Sequence, residues 1–217
     1  MKAFYDALET HFGPQHWWPA ETPFEVMVGA ILTQNTNWRN VEKAIENIRR
    51  AGLLDPVALR SLPRERLAEL IRPAGYYNVK AARLANLLSV LVDEYDGDLE
   101  RFFDGGIDQL RQRLLSINGV GRETADSIIL YAARKPTFVV DAYTYRVVLR
   151  HGLVFEDADY DQLKSLFEDH LPRDASLFNE YHGLIVRVGK EFCRKTPRCS
   201  GCPLDVFPHT VETPNDN

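Results

Sequence analysis

The 217-residue sequence predicts an all-α protein. Three observations carry that prediction. Apolar residues recur every three or four positions in one stretch after another, the period of a helix with one buried face. No stretch longer than five residues alternates apolar and polar in the way a half-buried strand would. Helix-start chemistry is also legible: in Thr22-Pro23-Phe24-Glu25 a threonine cap is followed by proline at the first helical position and by glutamate three residues on.

Taken in order, residues 1–12 form a short helix with Phe4, Leu8 and Phe12 on one side. A turn-rich loop follows, GPQHWWPAETP, which carries Trp17 and Trp18. The helix after Thr22 buries Phe24, Met27, Val28, Ile31 and Leu32 and ends in the polar cluster Thr33-Gln34-Asn35-Thr36. Residues 38–50 form another, with Val41, Ala44, Ile45 and Ile48 inward. Pro63 starts a helix carrying Leu67, Leu70 and Ile71, and Pro73-Ala74-Gly75 stops it. After Tyr76-Tyr77-Asn78, a long helix spans 79–95. Leu110, Leu114, Leu115 and Ile117 place a helix that ends near Asn118. Gly119-Val120-Gly121 then permits a tight turn with positive φ, and a further helix begins at about Arg122. A helix that starts just after glycines presents free N–H groups and a positive dipole end, which suits a phosphate. Lys135-Pro136 breaks it, and Asp141 is placed to cap the next helix. Residues 209–217 are polar and are expected to fray.

Composition limits the function classes. No apolar run reaches the ~20 residues a bilayer span needs, and the start of the chain has no apolar signal region. Three cysteines, all within residues 193–202, do not make a secreted disulfide framework. A cytoplasmic, nucleoid-associated location is the expectation. The net charge of −5 argues against nucleic acid as a partner, but its distribution argues for it. Residues 111–150 carry Arg111, Arg113, Arg122, Arg134, Lys135, Arg146 and Arg150 against three acids, and residues 71–92 carry Arg72, Lys80 and Arg83 against none. A polarised molecule can bind DNA by one face. Solvated helix faces would give the same pattern.

LLSINGVGRETAD together with VVDAYTYRV resembles the helix-hairpin-helix and catalytic-aspartate segments of the endonuclease III family of DNA glycosylases. The resemblance covers roughly residues 20–205. It implies two helical domains with a DNA-binding cleft: residues 22–130, holding the hairpin, and residues 1–21 plus 131–217, holding the C-terminal cysteine loop. It implies damaged double-stranded DNA as partner, no membrane, and a monomer. It makes Asp141 the catalytic carboxylate, Gln34 the residue that fills the hole left by a flipped base, and Tyr76 the wedge on the opposite strand. Gly119, Val120, Gly121, Arg122 and Thr124 would meet the phosphate backbone, with Lys80 a further phosphate contact. The carbonyls of Leu115, Ile117 and Val120 would hold a monovalent cation that bridges to a DNA phosphate.

Departures from the family pattern sharpen the expectation. Bifunctional members carry a lysine nucleophile two residues after the second hairpin glycine, where this chain has Glu123, so hydrolysis without strand cleavage is expected. Adenine-excising members carry a glutamate where this chain has Ala30. A single visible carboxylate suits a base that leaves easily, and N-alkylated purines do. Trp17, Trp18 and Trp38, the only tryptophans, would supply an electron-rich base pocket. WWP followed by LTQNT and an aromatic is similar to the 3-methyladenine DNA glycosylase branch. The alternatives are an endonuclease III-like enzyme for oxidised or mismatched pyrimidines, and a helix-hairpin-helix module that binds DNA without chemistry.

No cofactor is needed for the chemistry. Family members with a [4Fe-4S] cluster have four cysteines as Cys-x6-Cys-x2-Cys-x5-Cys. This chain has Cys193-x5-Cys199-x2-Cys202, with Pro208 at the fourth position and His209 beside it. The cluster is therefore expected to be absent. Three cysteines plus histidine would equally suit zinc, and a loop of unligated thiols is the plainest outcome.

Overall fold

The computed structural model describes residues 1–211; residues 212–217, the end of the tail expected to fray, lie outside the described residues. The elements are α1 (Lys2–Phe12), α2 (Pro23–Leu32), α3 (Trp38–Arg50), α4 (Pro56–Arg60), α5 (Arg64–Leu70), α6 (Tyr77–Ser89), α7 (Leu99–Phe103), α8 (Ile107–Leu115), α9 (Arg122–Ser127), α10 (Ala142–Arg150), α11 (Tyr160–Glu168) and α12 (Ala175–Glu191). Single π-helical turns at Val90–Glu94 and Ile128–Ala132 extend α6 and α9. The described residues contain no strand. The fold class is all-α, as the periodicity predicts. The chain divides into a central unit, Ala20–Lys135, and a terminal unit formed by Met1–Pro19 with the chain from Pro136 onward.

The central unit is built on α2. Thr22 Oγ1 accepts the Glu25 N–H at 3.2 Å, and Pro23 supplies the preset φ of the first turn. The Glu25 carboxylate does not return to Thr22. It accepts from the Glu21 N–H at 3.1 Å and from Arg49 at 2.9 Å. Every residue of α2 from Phe24 to Leu32 is buried, Glu25 included through its pairing with Arg49, so this helix lies inside the unit, against α3, α6 and α9.

The hairpin helix ends earlier than its apolar spacing predicts. α8 stops at Leu115, and residues 116–120 form the turn, with the Val120 N–H donating to the Ile117 carbonyl at 3.0 Å. Gly119 has φ +100°, and a Cβ there would stand 2.8 Å from Arg83 Cβ, so the turn requires glycine twice over. Arg111 of α8 forks onto buried Asp126 of α9 with N–O distances of 2.9 and 3.2 Å, which fixes the two hairpin helices together.

The terminal unit is organised by α12, which packs on α1 and α10. Phe138 stacks on Phe167 at 3.9 Å between ring centroids, with Phe178 and Tyr181 edge-on. The Tyr181 hydroxyl donates to the Met1 carbonyl at 2.9 Å. Of the tail expected to fray, Thr210 is docked: its N–H donates to the Arg150 carbonyl at 2.8 Å.

Candidate active site and nucleic-acid interface

Asp141 caps α10. Its Oδ1 accepts both the N–H and the hydroxyl of Thr144, at 2.7 and 2.9 Å. Capping and an additional role are therefore compatible, because all the capping is done by one oxygen. Oδ2 accepts no hydrogen bond among the described residues and lies 3.8 Å from His182 Nε2. His182, on α12, is buried, and burial holds its pKa below the ordinary 6.5, against the pull of the Asp141 carboxylate. The imidazole beside Oδ2 is thus neutral at neutral pH. Nothing in the sequence pairs His182 with Asp141, since the contact exists only once α12 packs on α10.

Trp17 and Trp18 lie in the terminal unit with Asp141, and Trp38 lies in the central unit. The Trp17 and Trp18 rings are edge-on at 6.2 Å, and Trp17 is edge-on to His182 at 6.2 Å. The Lys190 ammonium stands 5.8 Å over the Trp17 ring. The Trp17 Nε1 is buried without a hydrogen-bond partner among the described residues. The loop can approach α12 this closely because residue 183 is glycine. Trp38 opens α3, and its indole N–H donates to Glu42 one turn on, at 2.9 Å.

In the central unit, Gln34 is tied to the hairpin. Its amide nitrogen donates to the Gly119 carbonyl at 3.1 Å and to Thr124 Oγ1 at 3.0 Å, and its oxygen accepts from Arg83. Thr124 is buried by this arrangement, whereas Gly121 and Arg122 are exposed, and Glu123 is exposed in the first turn of α9. Val120 is buried, which leaves its backbone as the part able to act. Tyr76 is 73% exposed and sits in the left-handed region at φ 45°, immediately before α6. Asn35, next to Gln34, is also left-handed, at φ 54°. Neither strained position is legible in the sequence.

Lys80 requires a correction. It is 1% exposed, and its ammonium donates to the Leu32 carbonyl at 2.9 Å and the Ala74 carbonyl at 2.7 Å. It cannot reach a phosphate. Burial, reinforced by nearby Arg83, pushes its pKa down to about 8. Its position shows a different role: it joins the end of α2, just before Gln34, to the loop that carries Tyr76. Two other cations counted in the sequence are also engaged within the protein: Arg111 is paired with Asp126, and Arg150 is buried.

For the carbonyls of Leu115, Ile117 and Val120, the Ile117 oxygen already accepts one backbone N–H and retains a second lone pair. Cys193, Cys199 and Cys202 are free thiols of intermediate exposure around one cavity. Arg150 Nη1 donates to Cys193 Sγ at 3.1 Å, and burial raises the pKa of the Cys199 and Cys202 thiols.

Residues 28–173, which include the hairpin and Asp141, match the HhH-GPD superfamily of base excision DNA repair proteins. The chain belongs to that superfamily. Within the HhH-GPD superfamily it is 51% identical over 205 residues to a Methanocaldococcus jannaschii protein that carries the provisional name DNA repair glycosylase; the match covers 94% of this chain and 93% of that one. Its fold is similar to the H. pylori 3-methyladenine DNA glycosylase bound to 1,N6-ethenoadenine, with TM-score 0.75, 31% identity, and 87% and 96% of the two chains covered. It is also similar to endonuclease III in a non-covalent complex with DNA, with TM-score 0.80, 25% identity, and 95% and 92% covered. No described helix of this HhH-GPD chain is long and apolar enough to cross a membrane.

Proposed function

We propose that this HhH-GPD protein hydrolyses the N-glycosidic bond of alkylated purines in double-stranded DNA, such as 3-methyladenine, and leaves the strand intact. The observation that carries this reading is the grouping, inside the terminal unit, of the open Asp141 Oδ2 with neutral His182 and the Trp17–Trp18 pair. Asp141 stabilises the positive charge that develops at C1′ as the bond breaks. The bonding electrons pass to the purine nitrogen and cancel the charge that alkylation placed on the base. A water adds to C1′, and its proton passes to the Asp141 carboxylate.

The Trp17 ring already takes a cation on its face, Lys190, the type of contact an alkylated purine would make. The likeness to a 3-methyladenine glycosylase at 31% identity supports the same substrate class. Glu123 supports hydrolysis without strand cleavage, since a carboxylate forms no imine. Gln34, Tyr76 and the exposed hairpin residues Gly121 and Arg122 are the proposed DNA contacts. Trp38 is proposed as a third aromatic contact to the base on the strength of the sequence resemblance. The hairpin carbonyls are proposed to take a monovalent cation.

A panel of duplexes, each with one lesion, scored for abasic-site formation, tests the reading. Release of 3-methyladenine and inertness toward oxidised pyrimidines are expected. The reverse pattern would assign the chain to the pyrimidine-specific alternative.

A further inference from the structure

The loop after α12 does not fit a four-thiolate cluster. The whole chain contains three cysteines, and one of them, Cys193, has its sulfur against the buried Arg150 guanidinium at 3.1 Å. A guanidinium in that place opposes a cation at the Cys193 corner of the cavity. The same cavity offers a different donor set. Cys199 Sγ, an Asp205 carboxylate oxygen and a His209 ring nitrogen all lie within 4.8 Å of one another.

The orientation of His209 is already that of a ligand. Its Nδ1 lies 2.9 Å from the Phe207 carbonyl, which can only accept, so Nδ1 carries the proton. The lone pair is then on Nε2, which faces Asp205 Oδ1 at 3.5 Å. A backbone carbonyl that fixes the tautomer from behind is how metal-bound histidines are commonly held. The segment is positioned by three further bonds: Thr210 N–H to the Arg150 carbonyl at 2.8 Å, the His151 ring to the Pro208 carbonyl at 2.9 Å, and Cys202 N–H to the Cys199 carbonyl at 2.8 Å.

We propose that Cys199, Asp205 and His209 bind one zinc-class divalent ion, with water completing the coordination and Cys193 taking no part. Thiolate, carboxylate and neutral imidazole together carry two negative charges, which a divalent ion cancels. Zinc bonds of about 2.0–2.3 Å place tetrahedral neighbours roughly 3.3–3.6 Å apart, so a side-chain shift on the order of 1 Å closes the set. The mixture of sulfur, nitrogen and oxygen donors favours zinc over the hard ions calcium and magnesium.

The full-length chain, stripped of metal, is titrated with zinc against a chromophoric chelator, and with cobalt to read the thiolate-to-metal charge-transfer band. One equivalent per chain with that band is expected. Cys199→Ser, Asp205→Asn and His209→Asn each weaken zinc binding by roughly 100-fold or more, beyond the cost of losing an outer-shell partner. Cys193→Ser retains it. Circular dichroism of each metal-free variant confirms that the helices are intact, so a loss of binding reports ligation. The proposal is overturned by the absence of a saturable site, by zinc binding that depends on Cys193 and not on His209, or by anaerobically purified protein that holds about four irons per chain.

Discussion

Gly183 of α12 lies against Trp17 so closely that a Cβ at residue 183 would stand 2.9 Å from Trp17 Cβ. The tryptophan loop is therefore seated on α12, the helix that also carries His182. Gly183→Ala forces the loop outward, at an overpacking cost of roughly 1–3 kcal/mol. Thermal unfolding should show the loss. Excision of 3-methyladenine should fall by more than binding to undamaged duplex, and equal losses would mean that the loop serves packing alone.

Asp141→Asn is expected to lower base release by roughly 10²–10³-fold, the scale on which one electrostatic contact to a developing charge is felt. Asparagine caps a helix about as well as aspartate, so Thr144 keeps its acceptor and stability should change little. Single-turnover release and a melting curve on the same sample separate chemistry from folding. Wild-type release by this variant would remove Asp141 from the mechanism.

Borohydride trapping with lesion duplex should give no covalent adduct. Lys80 cannot serve as nucleophile because its ammonium is enclosed between two carbonyls. An adduct that disappears in Lys190→Ala would mean that this amine attacks the sugar and that the enzyme is bifunctional.

Lys80→Met should destabilise the central unit by about 2–4 kcal/mol, because the Leu32 and Ala74 carbonyls are left buried and unpaired. Denaturant unfolding measures this. Duplex binding should weaken as well, since both loops that Lys80 joins carry proposed DNA contacts. Unchanged stability would show that the two carbonyls find other partners.

Stability should fall as pH drops below about 6.5. The folded pKa of His182 lies below its unfolded value of 6.5, so in that window the unfolded chain binds more protons and acid favours it. At higher pH the contribution is fully present. His182→Phe should flatten this part of the stability–pH curve, and an unaltered slope would place the titration elsewhere.

Local chemistry was the legible part of the fold. The Thr22-Pro23 start, the 38–50 helix and the Asp141 cap each depend on residues within one turn of one another, and all are present. The misread positions depend on distant partners. Lys80 looks like a solvent or phosphate lysine because no acid lies near it in sequence, yet its partners are carbonyls, one of them 48 residues away. The His182–Asp141 contact and the left-handed Tyr76 are likewise products of packing, which one-dimensional patterning does not encode.

The bonds of Gln34 to Gly119 and Thr124 have a metric consequence. On the proposed roles, the probe of the base stack and the grip on the backbone belong to one rigid piece. The span from a held phosphate to the interrogated nucleotide is then a constant of the protein, like the gap of a caliper. Sliding by one nucleotide would present a new base at the same offset, and inspection would need no adjustment of the tool.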